Sequence, residues 1–216
     1  MNWLLDFDDT LAVGPVTWAL QHVFPDMIKT NNLPYDEALY TQVMLKAQRQ
    51  GNEGVDEETI LDEMFARFGW PDHLKAELGQ KVYYGYELAL FDDTIPFLDH
   101  LRERGDRVFV ISNNDKAAEH AGTLGIAGYF TGIYYPERCG GVPAKPQRDM
   151  WAFVTDQYPE LKDEPATFVG DDPWSDGLFA EHCQLPCWIV DRMQRYHTLY
   201  AGKPYQWAAS LRDLMR

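Results

Sequence analysis

The chain has 216 residues, 45% of them hydrophobic and 25% charged, which is enough apolar material for a packed core and excludes global disorder. Its length fits one large domain, or a core domain with a smaller one inserted. Nineteen Lys and Arg face 34 Asp and Glu, a formal net charge of −15, so nucleic acid and anionic membranes are not expected partners. An anionic substrate would need local positive charge from a metal, a Lys or aimed backbone N–H groups.

Cys139, Cys183 and Cys187 form no disulfide framework and no CxxC pair. The spacing of Cys183 and Cys187 suits one helical face, but Pro186 argues against a helix there. The cysteines fit a reducing compartment, and a cytoplasmic location is expected. No run of about 18 apolar residues suggests a membrane span, and no secretory signal pattern is visible.

In chain order, Trp3–Phe7 is a short apolar run that stops abruptly in carboxylates, which reads as a buried strand ending at a polar edge. From Pro15 to about Leu90 the pattern becomes helical. Tyr35–Gln50, Glu57–Phe68 and Asp72–Leu90 are expected helices, separated by Asn and Gly clusters and by Gly69-Trp70-Pro71. The aromatic residues of this stretch, Trp18, Phe24, Tyr35, Tyr40, Phe65, Phe68, Trp70, Tyr83, Tyr84 and Tyr86, are expected to form its small core. After Asp92 the chain alternates. Helices are expected at Thr94–Arg104, Lys116–Leu124, Gln147–Gln157 and Gly177–His182. Strands are expected at Arg107–Ser112, Tyr129–Tyr135, Ala166–Gly170 and, as the last core strand, Cys187–Val190. Such alternation implies a parallel sheet with helices on both faces. The tail from Asp191 to Arg216 carries no recognisable chemistry.

Four places end a strand in polar residues, where open parallel sheets bind ligands. In Asp6-Phe7-Asp8-Asp9-Thr10, the two-residue spacing lets Asp6 and Asp8 face one side. Crowded carboxylates keep their charge only beside a cation; otherwise one of them holds a proton. Ser112-Asn113 offers a hydroxyl and backbone N–H groups to phosphate oxygens, or simply caps the next helix. Lys145, held between Pro143-Ala144 and Pro146, supplies a point charge suited to phosphate, or is an ordinary loop lysine. Asp171 and Asp176, after the strand Thr167–Val169, are hard oxygen ligands of the kind Mg²⁺ takes, or acidic residues favoured by a helix N-terminus. The histidines, His22, His73, His100, His120, His182 and His197, show no metal-binding spacing and read as surface or helix residues.

The order of these four places resembles the haloacid dehalogenase-like (HAD) superfamily. Asp6-Phe7-Asp8-Asp9-Thr10-Leu11 is similar to its first motif, DxDxT. Ser112 is similar to the second, Lys145-Pro146 to the third, and Gly170-Asp171 with Asp176 to the fourth. Asp9 stands where many members have Gly, although Asp also occurs there. The resemblance covers about residues 3–190, and the helical insertion resembles the cap of the C1 subgroup. It implies an α/β fold, a Rossmann-like parallel core of residues 1–14 and 91–216 with a helical cap domain of residues 15–90.

By that resemblance Asp6 is the nucleophile and forms an aspartyl-phosphate. Asp8 protonates the leaving oxygen and then activates water. Ser112, Asn113 and Lys145 bind phosphate. Mg²⁺ is held by Asp6, the backbone carbonyl of Asp8 and Asp171, with Asp176 and Asp172 in support. The implied activity is a Mg²⁺-dependent phosphatase acting on a small phosphorylated metabolite. The alternatives are a β-phosphoglucomutase-like phosphomutase and a catalytically silent binding protein. Dehalogenation is disfavoured, because halide-cleaving members lack an acid at the position of Asp8, and a halide needs no proton to leave. No motif specifies the substrate, or whether the protein is a monomer or a homodimer.

Overall fold

The computed structural model describes residues 1–196, 200 and 202–215. One parallel sheet has the order β3-β2-β1-β4-β5-β6, where β1 is Asn2–Leu5, β2 Arg107–Ile111, β3 Gly132–Tyr134, β4 Ala166–Gly170, β5 Cys187–Val190 and β6 Gln206–Ala208. Leu5 lies opposite Val110 on one side and Val169 on the other. All four residues of β1 are buried, as a central strand requires. From β1 the strands run outward in both directions. The carboxyl ends of β1 and β4 therefore adjoin where the strand order reverses, a ligand position in such sheets.

The two-residue side-chain period of the strands builds two cores. Trp3, Leu5, Val108 and Val110 pack with Phe97, Leu98 and Leu101 on one face. Leu4, Phe109 and Phe168 pack with Met150, Val154 and Phe179 on the other. The covering helices are α6 Thr94–Glu103, α7 Ala117–Thr123, α8 Asp149–Gln157 and α9 Leu178–Cys183. The fold is thus α/β with a helical insertion between β1 and β2.

The expected last strand, β5, is not the last. The tail contributes β6, paired in parallel with β5 through Ile189 and Trp207. Three residues with only Ala208 buried carry too little periodicity to be read from sequence. Cys183 closes α9 and Cys187 opens β5, so the two do not share a helix. All three cysteines are free thiols. No helix among the described residues is long and apolar enough to cross a membrane. His197 lies outside the described residues.

The chain divides into two compact units, Met1–Val13 with Leu88–Arg216, and Gly14–Glu87. The second is all helical. It contains α1 Pro15–Trp18, a π turn over Ala19–Val23, α2 Phe24–Thr30, α3 Glu37–Asn52, α4 Glu57–Phe68 and α5 Leu74–Gly85. Asp36 and Asp56 cap α3 and α4 by accepting from the N–H groups of Leu39 and Thr59, at 2.7 and 2.9 Å. Phe24, Met27, Phe65, Phe68 and Trp70 form its core. Tyr83 and Tyr84 do not join it; both are 80% exposed, and Tyr35 is exposed as well. The expected helix Asp72–Leu90 stops at Gly85, because Leu88 and Leu90 pack into the core of the sheet unit, where Leu90 bridges Ala12 in extended pairing. Tertiary pairing overrides helical propensity there.

Candidate active site

β1 delivers Asp6 to its carboxyl end, where the Asp6 N–H donates to Val169 O at 2.8 Å. The chain then closes a tight turn. Leu11 N and Ala12 N both donate to Phe7 O, at 2.9 and 3.1 Å. Asp9 sits at φ 58°, left-handed backbone that Gly adopts freely and Asp tolerates, which explains why either residue serves at this position. Its N–H reaches Ala12 O at 2.7 Å.

Lys145 is the hub. Its Nζ lies 2.6 Å from Asp6 Oδ1 and 2.6 Å from Asp176 Oδ1, and its side chain is only 1% exposed. The second oxygen of Asp176 accepts the N–H groups of Asp171 and Asp172, at 3.0 and 3.1 Å. Asp176 is therefore fully engaged and anchors the loop after β4. Gly170 makes this approach possible, since a Cβ there would meet Asp176 Oδ2 at 2.2 Å. Asp172 caps the following turn through Trp174 N at 2.8 Å.

Ser112 is buried at the end of β2, and its Oγ accepts the Asn114 N–H at 3.1 Å. It does not cap α7, which has no side-chain cap. Asn113, expected at phosphate, uses its side-chain amide on the backbone of Lys145: Nδ2 donates to Lys145 O at 3.1 Å and Oδ1 accepts Lys145 N–H at 2.7 Å. A side chain paired in both directions fixes its neighbour, so Asn113 acts here as a support for Lys145. Asn114, which sequence reasoning did not single out, donates from Nδ2 to Asp8 Oδ2 at 2.8 Å. The other Asp8 oxygen, Oδ1, is buried and has no hydrogen-bond partner among the described residues.

Burial dominates the electrostatics. It pushes the Asp6 carboxyl up to about 8, against the attraction of Lys145 and with repulsion from Asp176 and Asp8. Burial also raises Asp171, helped by Asp9, Asp176, Asp172 and Asp6. Asp8 rises for the same reason, although the Asn114 hydrogen bond opposes it. Lys145 goes the other way from what burial alone would give: Asp176 and Asp6 hold its proton more tightly.

Asp6, Asp171 and Asp176 each offer a carboxylate oxygen within 4.8 Å of the others. An all-oxygen, negatively charged donor set with no His or Cys suits a hard divalent cation. Asp6 and Asp171 are the open members. Asp6 uses one oxygen on Lys145, and Asp171 has the Arg195 guanidinium 3.7 Å away. The Asp8 carboxylate is not part of this cluster, and Asp176 spends its oxygens on Lys145 and two backbone N–H groups. Arg195, like Asn114, was not foreseen. A second Asn in Ser112-Asn113-Asn114 was a local signal; Arg195 gave none, since it lies in the tail.

A sequence profile of the haloacid dehalogenase-like hydrolases matches residues 4–184, most of the chain. The protein belongs to this family. The HAD fold agrees with solved structures over 99% of the chain. The HAD hydrolase YfnB from Bacillus subtilis, bound to magnesium, is 17% identical with a TM-score of 0.65 and is covered over 96%. A HAD phosphatase from Thermococcus onnurineus is 20% identical with a TM-score of 0.59 and is covered over 95%. A β-phosphoglucomutase-like protein from Thermotoga maritima is 15% identical with a TM-score of 0.65 and is covered over 96%. At such identities the likeness establishes the shared fold. None of the curated proteins matches this HAD chain. Its helical insertion is of the C1 type.

Proposed function

We propose that this HAD protein is a Mg²⁺-dependent phosphatase of small phosphorylated metabolites that works through an aspartyl-phosphate on Asp6. The observation that carries the reading is Asp8: a second carboxyl two residues from the nucleophile, held by Asn114, raised by burial, with one buried oxygen unpartnered. A proton donor at that place serves an alkoxide leaving group.

In this reading Asp6 attacks phosphorus. The P–O bond to the leaving group breaks, and Asp8 passes its proton to the departing oxygen. Asp8, now ionised, takes a proton from water as the water attacks the phosphorus of the aspartyl-phosphate, releasing phosphate and restoring both carboxyls. Lys145 neutralises the nucleophile and the incoming dianion, and Ser112 offers its hydroxyl to a phosphoryl oxygen. Asp6, Asp171 and the Asp8 carbonyl would hold Mg²⁺, which when bound offsets charge on the phosphoryl oxygens. Asp176 keeps Lys145 and the Asp171 loop in place. The helical unit, Gly14–Glu87, is proposed to choose the substrate, because the motif residues address only the phosphoryl group. The free thiols and acidic surface are consistent with a cytoplasmic location.

The test is a panel of phosphorylated metabolites with Mg²⁺, scored by phosphate release. Turnover of at least one member, lost in excess EDTA, is expected. Undiminished turnover in EDTA would sink the metal requirement. Interconversion of isomeric sugar phosphates with no phosphate release would replace the reading by a phosphomutase.

A further inference from the structure

The mechanism leaves the half-buried Arg192 unused. Arg192, in the tail, donates from Nη2 to Thr10 O at 2.8 Å and grips Asp93 with both terminal nitrogens, at 2.8 Å to Oδ2 and 3.0 Å to Oδ1. Its guanidinium lies 3.8 Å from the centre of the Phe91 ring, which fixes its plane. Asp93 is 1% exposed, and its Oδ2 also accepts Leu211 N–H at 2.8 Å.

These contacts join two segments of the sheet unit that flank the insertion. The outgoing segment follows Asp8, and the returning one runs from Leu88 to Thr94. They pair directly through Val13 N to Ala89 O at 2.8 Å and Phe91 N to Leu11 O at 3.2 Å, and Thr94 Oγ1 donates to Leu11 O at 2.6 Å. Arg192 adds the carbonyl of Thr10, only two residues beyond Asp8. We propose that Arg192 is a positioning residue for the Asp8 turn, locking the outgoing segment to Asp93 so that Asp8 points at the leaving oxygen. This rests on the phosphatase reading. A planar fork holds the Thr10 carbonyl and both Asp93 oxygens in one fixed geometry; the rotating donors of a lysine would hold that geometry less firmly. Loss of the fork leaves the buried Asp93 with only the Leu211 N–H and no counter-charge, and frees the Thr10 carbonyl. A shift of Asp8 of about 1 Å is enough to cost about a hundredfold in rate.

The experiment compares Arg192→Gln and Arg192→Lys with wild type on phenyl phosphate and 4-nitrophenyl phosphate, beside melting temperature and amide hydrogen exchange. For Arg192→Gln, first-turnover release of phenol should slow at least about thirtyfold, and that of nitrophenolate less than about threefold, because a nitrophenolate departs without the Asp8 proton; the water attack that Asp8 also assists should slow alike for both esters. Arg192→Lys should lie between. Amides of Asp9, Leu11 and Ala12 should exchange at least about tenfold faster, while that of Phe168 in β4 stays protected. Equal losses in the first-turnover release from both esters, or unchanged exchange in the Asp8 turn, would overturn the proposal. If Arg192→Gln does not fold, Arg192→Lys carries the same comparison. If wild type releases phosphate from neither ester and from no member of the metabolite panel, the phosphatase reading fails, and the exchange arm alone decides whether Arg192 positions the turn.

Discussion

The two ends of the sheet carry the same arrangement, one cation between two carboxylates, with opposite consequences. At the amino ends of β1, β2 and β4, Arg107 meets Glu160 at 2.7 Å and Glu164 at 2.6 Å, and its Nε donates to Asn2 at 2.9 Å. The side chains of Arg107, Glu160 and Glu164 are 33 to 48% exposed. At the carboxyl ends, Lys145 meets Asp6 and Asp176 with 1 to 11% exposed. Water screens the first group, so each charge is solvated whether paired or not. The second group has little water, so every charge there depends on its neighbours. Ion-pair geometry alone does not mark a site. Burial does, because it makes the charges interdependent and leaves them open to a further cation or a phosphoryl group.

The largest expected contrast is in turnover. Asp6→Asn should lower phosphate release by at least about 10³-fold if Asp6 supplies the attacking oxygen as proposed, whereas Arg107→Gln should leave it within about twofold. An Asp6→Asn protein with near wild-type turnover would rule out the covalent route. Lys145→Met should come next, with a loss of about 30- to 10³-fold in kcat, equivalent to roughly 2–4 kcal/mol. It should also destabilise the fold by about 3–5 kcal/mol at pH 7, because Asp6 and Asp176 lose their shared partner; chemical denaturation measures this directly. If that variant keeps its turnover and only melts lower, Lys145 is structural.

Gly170→Ala should cost about 1–3 kcal/mol of stability and weaken the stabilisation that added Mg²⁺ gives, since its Cβ would displace Asp176. Gly128→Ala, where no atom lies within 4 Å, is the control and should change neither. Thermal melts with and without Mg²⁺ check both.

The pH dependence should have opposite signs at the two ends. Asp6 is raised to about 8 when folded, so between about 4 and 8 the folded metal-free protein binds more protons than the unfolded chain. Its contribution is therefore most favourable below about 4 and is lost as pH rises towards 8. Asp171 shifts the same way. Glu160 is lowered by Arg107, so its contribution is present above the ordinary Glu range and lost on acidification. Denaturation of the EDTA-treated protein should show stability falling from pH 5 to pH 8, a fall that Asp6→Asn removes in part. A slope of the opposite sign would show that Lys145 outweighs burial. Arg107→Gln should have the smallest effect, shifting Tm by no more than about 2–4 °C, and by less in high salt.

Much of the molecule was legible in the chain. The apolar runs of β1, β2 and β4, each ending in polar residues, declared a parallel sheet and put Asp6, Ser112 and Asp171 at its carboxyl ends. Those signals are local: strand period, strand end and motif order all lie within a few residues. Helix α4 was readable for the same reason, with Gly69 to stop it. Partner choice was not. Asn113 faces the Lys145 backbone and Asn114 faces Asp8, although the two adjoin in sequence, because the turn after β2 sends their side chains to different neighbours. Nothing near Arg192 or Arg195 announces Thr10 or Asp171, since the contacts form only when β5 and the tail come to lie beside β4. β6 is a strand because β5 offers it an edge. Sequence determined which residue types stand at the strand ends; tertiary structure decided which are buried, and burial is what converts a row of carboxylates into a site.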